Sequence, residues 1–401
     1  MKGHRPPRPA GTGMRMPRAT TPLTIALVAL TLAAVASALP VAAQVVTLPP
    51  SGDNQKASIT QHIGLATVTV EYSSPDVHAP DGSDRRGKIW GGLVPYGWGE
   101  ESFGTCGKKC PWRGGANENT VVRFSHDVTV EGQPLAAGAY GLHFLPGETE
   151  WVVIFSKNST SWGSFTYDEA EDALRVTVNP VAAPYREWLA YDFIDRRPDR
   201  AVLALEWEEL RVPIGIVVPD AVEIYVRNLR DELRDLRGIN WQAWQQAAEY
   251  LIQQKVHLEE AERWARNAVS LPFVGKENWT TLRALAAAQE ALGREAEAGA
   301  TMEKALAHPT AGPIDIYQYA RPMIRAGRAQ EALRVFRSAA KRYPGQWPID
   351  LGIARAQSAL GDFPAALKHA KAALAVAPDD PNRENVRRLI ARLEKGEDIN
   401  K

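Results

Sequence analysis

Gly87-Lys-Ile-Trp-Gly-Gly-Leu-Val-Pro-Tyr96 and Trp112-Arg-Gly-Gly-Ala-Asn-Glu118 form the two ends of the segment from Arg85 to Glu118, around which the chain is organised. Paired glycines, prolines and tryptophans so close together break the period of a helix and that of a strand alike. Such a segment needs a regular scaffold on either side to hold it. The flanking sequence supplies one.

Upstream, Ala57 to His62 and Ala66 to Tyr72 alternate apolar and polar residues about Ile63-Gly64. In Thr67-Val-Thr-Val-Glu-Tyr72 the valines share one face, the period of a half-buried antiparallel strand. Ser73 to Gly87, with Pro75, Pro80 and Gly82, reads as a loop. Downstream, strand signals run over Thr120 to Val130, turn at Glu131-Gly132, return over Leu135 to Phe144 and turn again at Pro146-Gly147 into Trp151 to Phe155. Ala173 to Asn179, Glu187 to Phe193 and Ala201 to Val212 are further strands. Short turns with no helical pattern between them predict an all-β antiparallel sandwich.

After Val212 the period changes. Pro219-Asp220 opens an amphipathic stretch, Ala221 to Arg237, with Gly238 as its stop. Ala298, Ala332 and Ala366 then recur every 34 residues, with Ala305, Ala339 and Ala373 seven residues after each. Ala286, Ala320 and Ala354 precede them, Gly293, Gly327 and Gly361 mark turns, and Pro344 and Pro378 follow the second helices. Ala261 and Ala268 give a looser first copy. Small residues let paired helices approach, and the spacing resembles the tetratricopeptide repeat. The expectation is four repeats and a capping helix from Pro381 to Glu394, presenting a concave surface to a peptide or protein; packing of the array on its own β-domain is the plainer alternative.

The four motifs Gly87 to Tyr96, Trp112 to Glu118, Leu135-Ala-Ala-Gly-Ala-Tyr-Gly-Leu142 and Leu205-Glu-Trp-Glu208, in this order over Gln55 to Ile216, resemble the bacterial family named domain of unknown function 2911. The resemblance implies an exported β-protein, in some members followed by helical repeats, and implies no activity. Gly97 to Pro111, which carries both cysteines, departs from the family pattern.

At its start the chain reads as an export signal. Lys2, Arg5, Arg8, Arg15 and Arg18 precede an apolar run from Leu23 to Ala38, and Val41-Ala42-Ala43 allows cleavage before Gln44. Met14 or Met16 could serve as the start. The run is short for a spanning helix, so no membrane span is expected after cleavage, and localisation is expected to be periplasmic or secreted. The boundaries are then 1–43 for the signal, 44–217 for the β-domain, 218–238 for a bridging helix and 239–401 for the repeats.

Composition narrows the function. The 47 basic and 47 acidic residues balance, which gives no electrostatic reason for a nucleic-acid partner. Cys106 and Cys110 are the two cysteines, and export favours a disulfide between them over free thiols or metal or redox chemistry. No Gly-x-Ser-x-Gly, His-Glu-x-x-His or phosphate-binding glycine loop occurs, so no catalytic residue is assigned and no cofactor or metal is expected. His126 and His143 fall in strand patterns as surface or sheet-face residues, and convergence of His62, His126 and His143 with Glu118 on a metal is disfavoured. Arg113, Asn117 and Glu118 with Trp90 and Trp112 are the candidate ligand-binding group, with turn stabilisation and core packing as the competing roles. Two functions remain: an exported scaffold engaging protein through its repeats, or a hydrolase or small-ligand-binding protein with its site near Arg113, Asn117 and Glu118.

Overall fold

The computed structural model describes residues 54–401. The export-signal reading over residues 1–43 lies outside the described residues, as does the expected start of the β-domain at residue 44.

The strands are β1 (Gln55–Ile63), β2 (Ala66–Ser74), β3 (Val121–Phe124), β4 (Val128–Val130), β5 (Gln133–Leu135), β6 (Gly138–Leu145), β7 (Trp151–Ser156), β8 (Asp172–Val178), β9 (Val181–Ile194) and β10 (Arg200–Val217). They pair antiparallel in two sheets, ordered β1-β2-β3-β6-β7-β8 and β5-β4-β10-β9. Alternation decides which side chains meet. Val68, Val70, Phe124, Leu142, Phe144, Val153 and Phe155 from the larger sheet share one core with Leu189, Tyr191, Leu203, Leu205, Trp207 and Ile214 from the smaller. Outward-facing Thr60 and Thr69 pair their hydroxyls across β1 and β2 at 2.8 Å.

The expected single strand from Thr120 to Val130 is two strands in different sheets. At the corner, Ser125 Oγ accepts the Thr67 amide at 2.7 Å and Asp127 Oδ1 accepts the Ala137 amide at 2.8 Å. These polar side chains end one ladder and begin another without disturbing the two-residue period. The expected strand from Leu135 to Phe144 divides in the same way into β5 and β6. Between β4 and β5, Glu131 and Gly132 both have positive φ (48° and 78°), the conformation of a tight two-residue hairpin turn.

The helices are α1 (Ala221–Glu232), α2 (Trp241–Gln254), α3 (Leu258–Ser270), α4 (Trp279–Ala291), α5 (Glu295–Ala307), α6 (Pro313–Arg325), α7 (Ala329–Arg342), α8 (Trp347–Ala359), α9 (Phe363–Ala375) and α10 (Asp380–Leu393). Helix α1 stops five residues short of the expected Arg237. The chain instead makes a short turn in which Asp235 accepts the Arg237 amide at 2.7 Å, and a Cβ on Gly238 would stand 2.0 Å from the Leu233 carbonyl oxygen. The following helices pair as α2 with α3, α4 with α5, α6 with α7 and α8 with α9, and α10 covers the last pair. Repeat alanines fill the seams: Ala305, Ala320, Ala332, Ala354, Ala366 and Ala373 are all fully buried. No helix among the described residues is long and apolar enough to cross a membrane.

Candidate functional site

The first end of the central segment is drawn in by a bulge. Pairing of β9 with β10 shifts register on both sides of Glu208, whose φ is +55°, and the Glu208 carboxylate accepts the Gly87 amide. The chain then coils tightly, with Leu93 N on Lys88 O at 2.9 Å and Val94 N on Ile89 O at 2.8 Å. The coil turns Trp90 inward, where its ring centroid lies 5.1 Å from Trp151, 5.6 Å from Trp112 and 5.7 Å from Trp207.

The second end is fixed by β-type pairing. Trp112 and Phe144 exchange backbone hydrogen bonds of 2.9 and 2.7 Å, and Ala116 N donates to Ser73 O at 2.9 Å. Between these anchors the Gly114 carbonyl accepts the Tyr191 hydroxyl at 2.8 Å and that of Thr120 at 3.2 Å. A Cβ on Gly114 would lie 2.5 Å from the Tyr191 hydroxyl, so only glycine fits here. Asn117 also takes positive φ (56°), and Arg113 Nη1 donates to its carbonyl at 2.8 Å.

The insertion between these ends forms one wall. Cys106 and Cys110 are joined by a disulfide, and Gly99 and Cys110 exchange backbone hydrogen bonds of 2.8 and 3.1 Å. The opposite wall is the loop carrying Trp162 and Phe165. The Arg113 guanidinium lies 4.9 Å from the Phe165 ring centroid and 5.7 Å from that of Trp162.

These walls enclose a cleft of about 330 Å³, with Trp112, Trp207, Arg113, Asn117, Phe165 and Glu101 among its lining. Of the sequence candidates, Arg113, Asn117 and Trp112 meet here. Trp90 lies against the indoles of Trp112 and Trp207 and does not line the cleft. Glu118 turns away: it pairs with Lys56 at 2.7 Å, accepts the Ser73 hydroxyl at 3.1 Å, and faces a separate hollow with Asn119 and Trp162. Its pKa is lowered chiefly by the Lys56 hydrogen bond. The trio is therefore not convergent.

Of the two readings of His143, surface or sheet-face, the structure corrects the first: it is a buried residue on a face of β6. It is 2% exposed, with Nδ1 3.0 Å from Ser164 Oγ. Burial, with a smaller effect of the Arg113 charge, pulls its pKa down to about 3, so the imidazole is neutral at pH 7. His126 pairs with its neighbour Ser125 at 2.9 Å, and among the described residues no three His, Cys, Asp or Glu side chains converge as a metal site.

Phe165, Trp207 and Glu101 were missed as lining residues. The signal available was Trp162-Gly-Ser-Phe165, a rigid aromatic pair inside a polar loop. Gly163 is where Arg113 passes, since a Cβ there would lie 2.6 Å from Arg113 Nη1.

The array has a hollow of its own. Helices α3 and α4 pack along one another, as do α7 and α8, whereas α5 and α6 approach less closely and meet through a shared apolar core with Ala305, Ile316 and Ala320. A groove of about 760 Å³ opens at this joint, lined by Met302, Leu306, Tyr319, Val335, Arg334 and Ser338 among others. The joint is fastened through its turn: Arg342 donates to the Leu306 carbonyl at 2.9 Å and the His308 carbonyl at 3.0 Å, while Tyr343 Oη donates to Ala311 O at 2.7 Å.

Comparison with known proteins divides the chain as its geometry does. Residues 54–216 match the family model described as protein of unknown function (DUF2911). Residues 323–393 match a tetratricopeptide-repeat model, spanning the end of α6 through α10. No curated protein matches the chain. Among solved structures it is similar to that described as "Crystal structure of YrrB: a TPR protein with an unusual peptide-binding site", at 16% identity over 42% of this chain and 84% of that one, with a TM-score of 0.28. That score is too low to carry an argument about this chain. The chain thus joins a region matching the DUF2911 model to a helical array whose last part matches a tetratricopeptide-repeat model.

Proposed function

We propose that this protein is an exported scaffold of the cell envelope, whose repeat array engages a protein or peptide partner while the β-domain carries it. The observation behind this reading is the array itself: four helix pairs with alanine-filled seams, opened at one joint by the groove between α5 and α7. Stacked helical repeats expose extended surface in proportion to their core, and peptide recognition in grooves is its common use. The basic n-region, apolar run and Val41-Ala-Ala43 support export with a mature start at Gln44.

Capture from native cell envelope tests the reading, using the full chain beside a full-length Arg334→Glu/Ser338→Glu variant. Both positions are exposed in the groove, so the substitutions should leave folding intact. A partner retained by the wild type and lost by the variant is the expected result. Equal retention by both would remove the groove from the account. An uncleaved signal in the envelope fraction, read by mass, would count against export.

A further inference from the structure

The β-domain cleft poses an electrostatic problem that the scaffold reading does not use. Arg113 is half-buried, and burial pulls its pKa below the ordinary arginine value. No carboxylate forms an ion pair with it among the described residues. One N–H of its guanidinium donates to the Asn117 carbonyl, and its ring neighbours Phe165 and Trp162 are uncharged. A guanidinium taken partly out of water without a counter-ion is costly.

The carboxylates that could have met it are placed elsewhere. Glu118 is committed to Lys56 and Ser73. Glu101 lines the cleft, and its charge raises the Arg113 pKa, but its side chain is exposed and it does not reach ion-pairing distance. The other cleft arginine, Arg85, is already occupied: it donates to Asp76 Oδ1 at 3.2 Å and to the carbonyls of Asp76 and Val77 at 3.0 and 3.2 Å. Arg113 is thus held in place by a turn that tolerates no side chain at Gly114, with no carboxylate at ion-pairing distance among the described residues and only the more distant Glu101 charge to offset its own.

Beside this charge, Trp112, Trp207, Phe165, Pro95 and Pro111 supply the apolar part of the lining, and Arg85, Glu101, Asn117 and Ser164 the polar part. At about 330 Å³ the cleft is at the small end of ligand sites, with room for one ring and its substituents. We propose that this cleft binds a small ring-bearing carboxylate, with Arg113 as the counter-ion and Trp112 and Phe165 packed against the ring. Arginine suits the task because its planar fork can donate two parallel N–H bonds to a carboxylate. Aromatic acids and sugar acids share this chemistry, since both present a carboxylate on a six-membered ring to an aromatic wall. The proposal concerns the β-domain alone and stands or falls apart from the array.

Tryptophan fluorescence of the full chain tests it, because Trp112 and Trp207 line the cleft. Benzoate and glucuronate are titrated beside their uncharged counterparts, benzamide and glucose. Saturable binding of at least one acid is expected, with no response to its neutral counterpart at equal concentration. Benzoate alone would mark the site as one for aromatic acids, and glucuronate alone as one for sugar acids. Arg113→Gln should weaken the binding acid about tenfold or more, the loss of one charge-assisted contact. The proposal is overturned if neither acid binds, if the neutral compounds bind as tightly as the acids, or if a folded Arg113→Gln protein binds unchanged. The acid-against-neutral comparison uses wild-type protein, so it decides the matter even if Arg113→Gln misfolds.

Discussion

Gly114 shows how much one residue can fix. Its carbonyl takes two hydroxyl donors, its φ is +64°, and the space where a Cβ would sit is taken by Tyr191 and Phe144. Gly114→Ala should therefore cost about 2 kcal/mol or more, read by urea denaturation, since strain at positive φ adds to the clash. His143 makes a pH prediction. Its folded pKa, about 3, is depressed below its ordinary 6.5, so the unfolded chain binds a proton that the folded chain refuses. Stability is then complete above about pH 6.5 and falls with pH between that value and about 3, by roughly 2 kcal/mol at pH 5. Thermal melts at pH 7 and 5 should show the loss, and His143→Asn should flatten the difference while Ser164, Arg113 and Tyr167 remain around it. By contrast, the Glu118–Lys56 pair is half exposed, and Glu118→Gln should cost less than about 1 kcal/mol at pH 7. The direction of its shift implies the same sign: that small contribution is present at neutral pH and fades as acid protonates Glu118. At this scale the sequence was only partly legible. It marked Arg113, Asn117 and Trp112, which meet in the cleft. It could not separate Glu118 from them, because adjacent residues in an irregular turn have no fixed period and diverge with each φ.

Among the elements, regular periods were readable and corners were not. The two-residue alternation from Thr120 to Val130 is unbroken although the chain changes sheets at Ser125 to Asp127, because the corner is made by side chains bonding to distant amides. Length was underestimated for β10, which runs to Val217 through the bulge at Glu208, where the pattern slips. The repeats were clearer, since a spacing of 34 residues survives any local irregularity. What that spacing hid is the joint between α5 and α6, equal in sequence period yet more loosely packed, with a groove over its shared apolar core. The turn between them is fastened chiefly by Arg342 to three carbonyls and Tyr343 to Ala311. Arg342→Ala should speed proteolysis within residues 308–312 severalfold while lowering the melting temperature only slightly, the signature of local opening. No change in cleavage there would mean that the apolar seam holds the joint unaided.

For the molecule as a whole, α1 is the hinge of the design. Ile224 belongs to the sandwich core, whereas Val226 and Leu233 belong to the first helical core with Ala247, Leu251 and Trp264. One amphipathic stretch was expected from the sequence, but not that its two sides would serve two different cores, for which a lone helix pattern carries no partner information. Leu233→Ala should cost about 3 kcal/mol and separate a single thermal transition into two, with the helical array melting first. One coincident transition in the variant would show that the cores are joined by more than α1. The same architecture frames the functional claim, in which a compact β-domain carries an array whose open joint does the binding.

Site-specific photocrosslinking tests that claim most directly. A photoreactive side chain is placed at Ser338, exposed in the groove, and in a second protein at Arg387, exposed on α10. The account predicts a discrete adduct in cell envelope from position 338 and none from position 387. Equal labelling from both, or labelling from 387 alone, would contradict it.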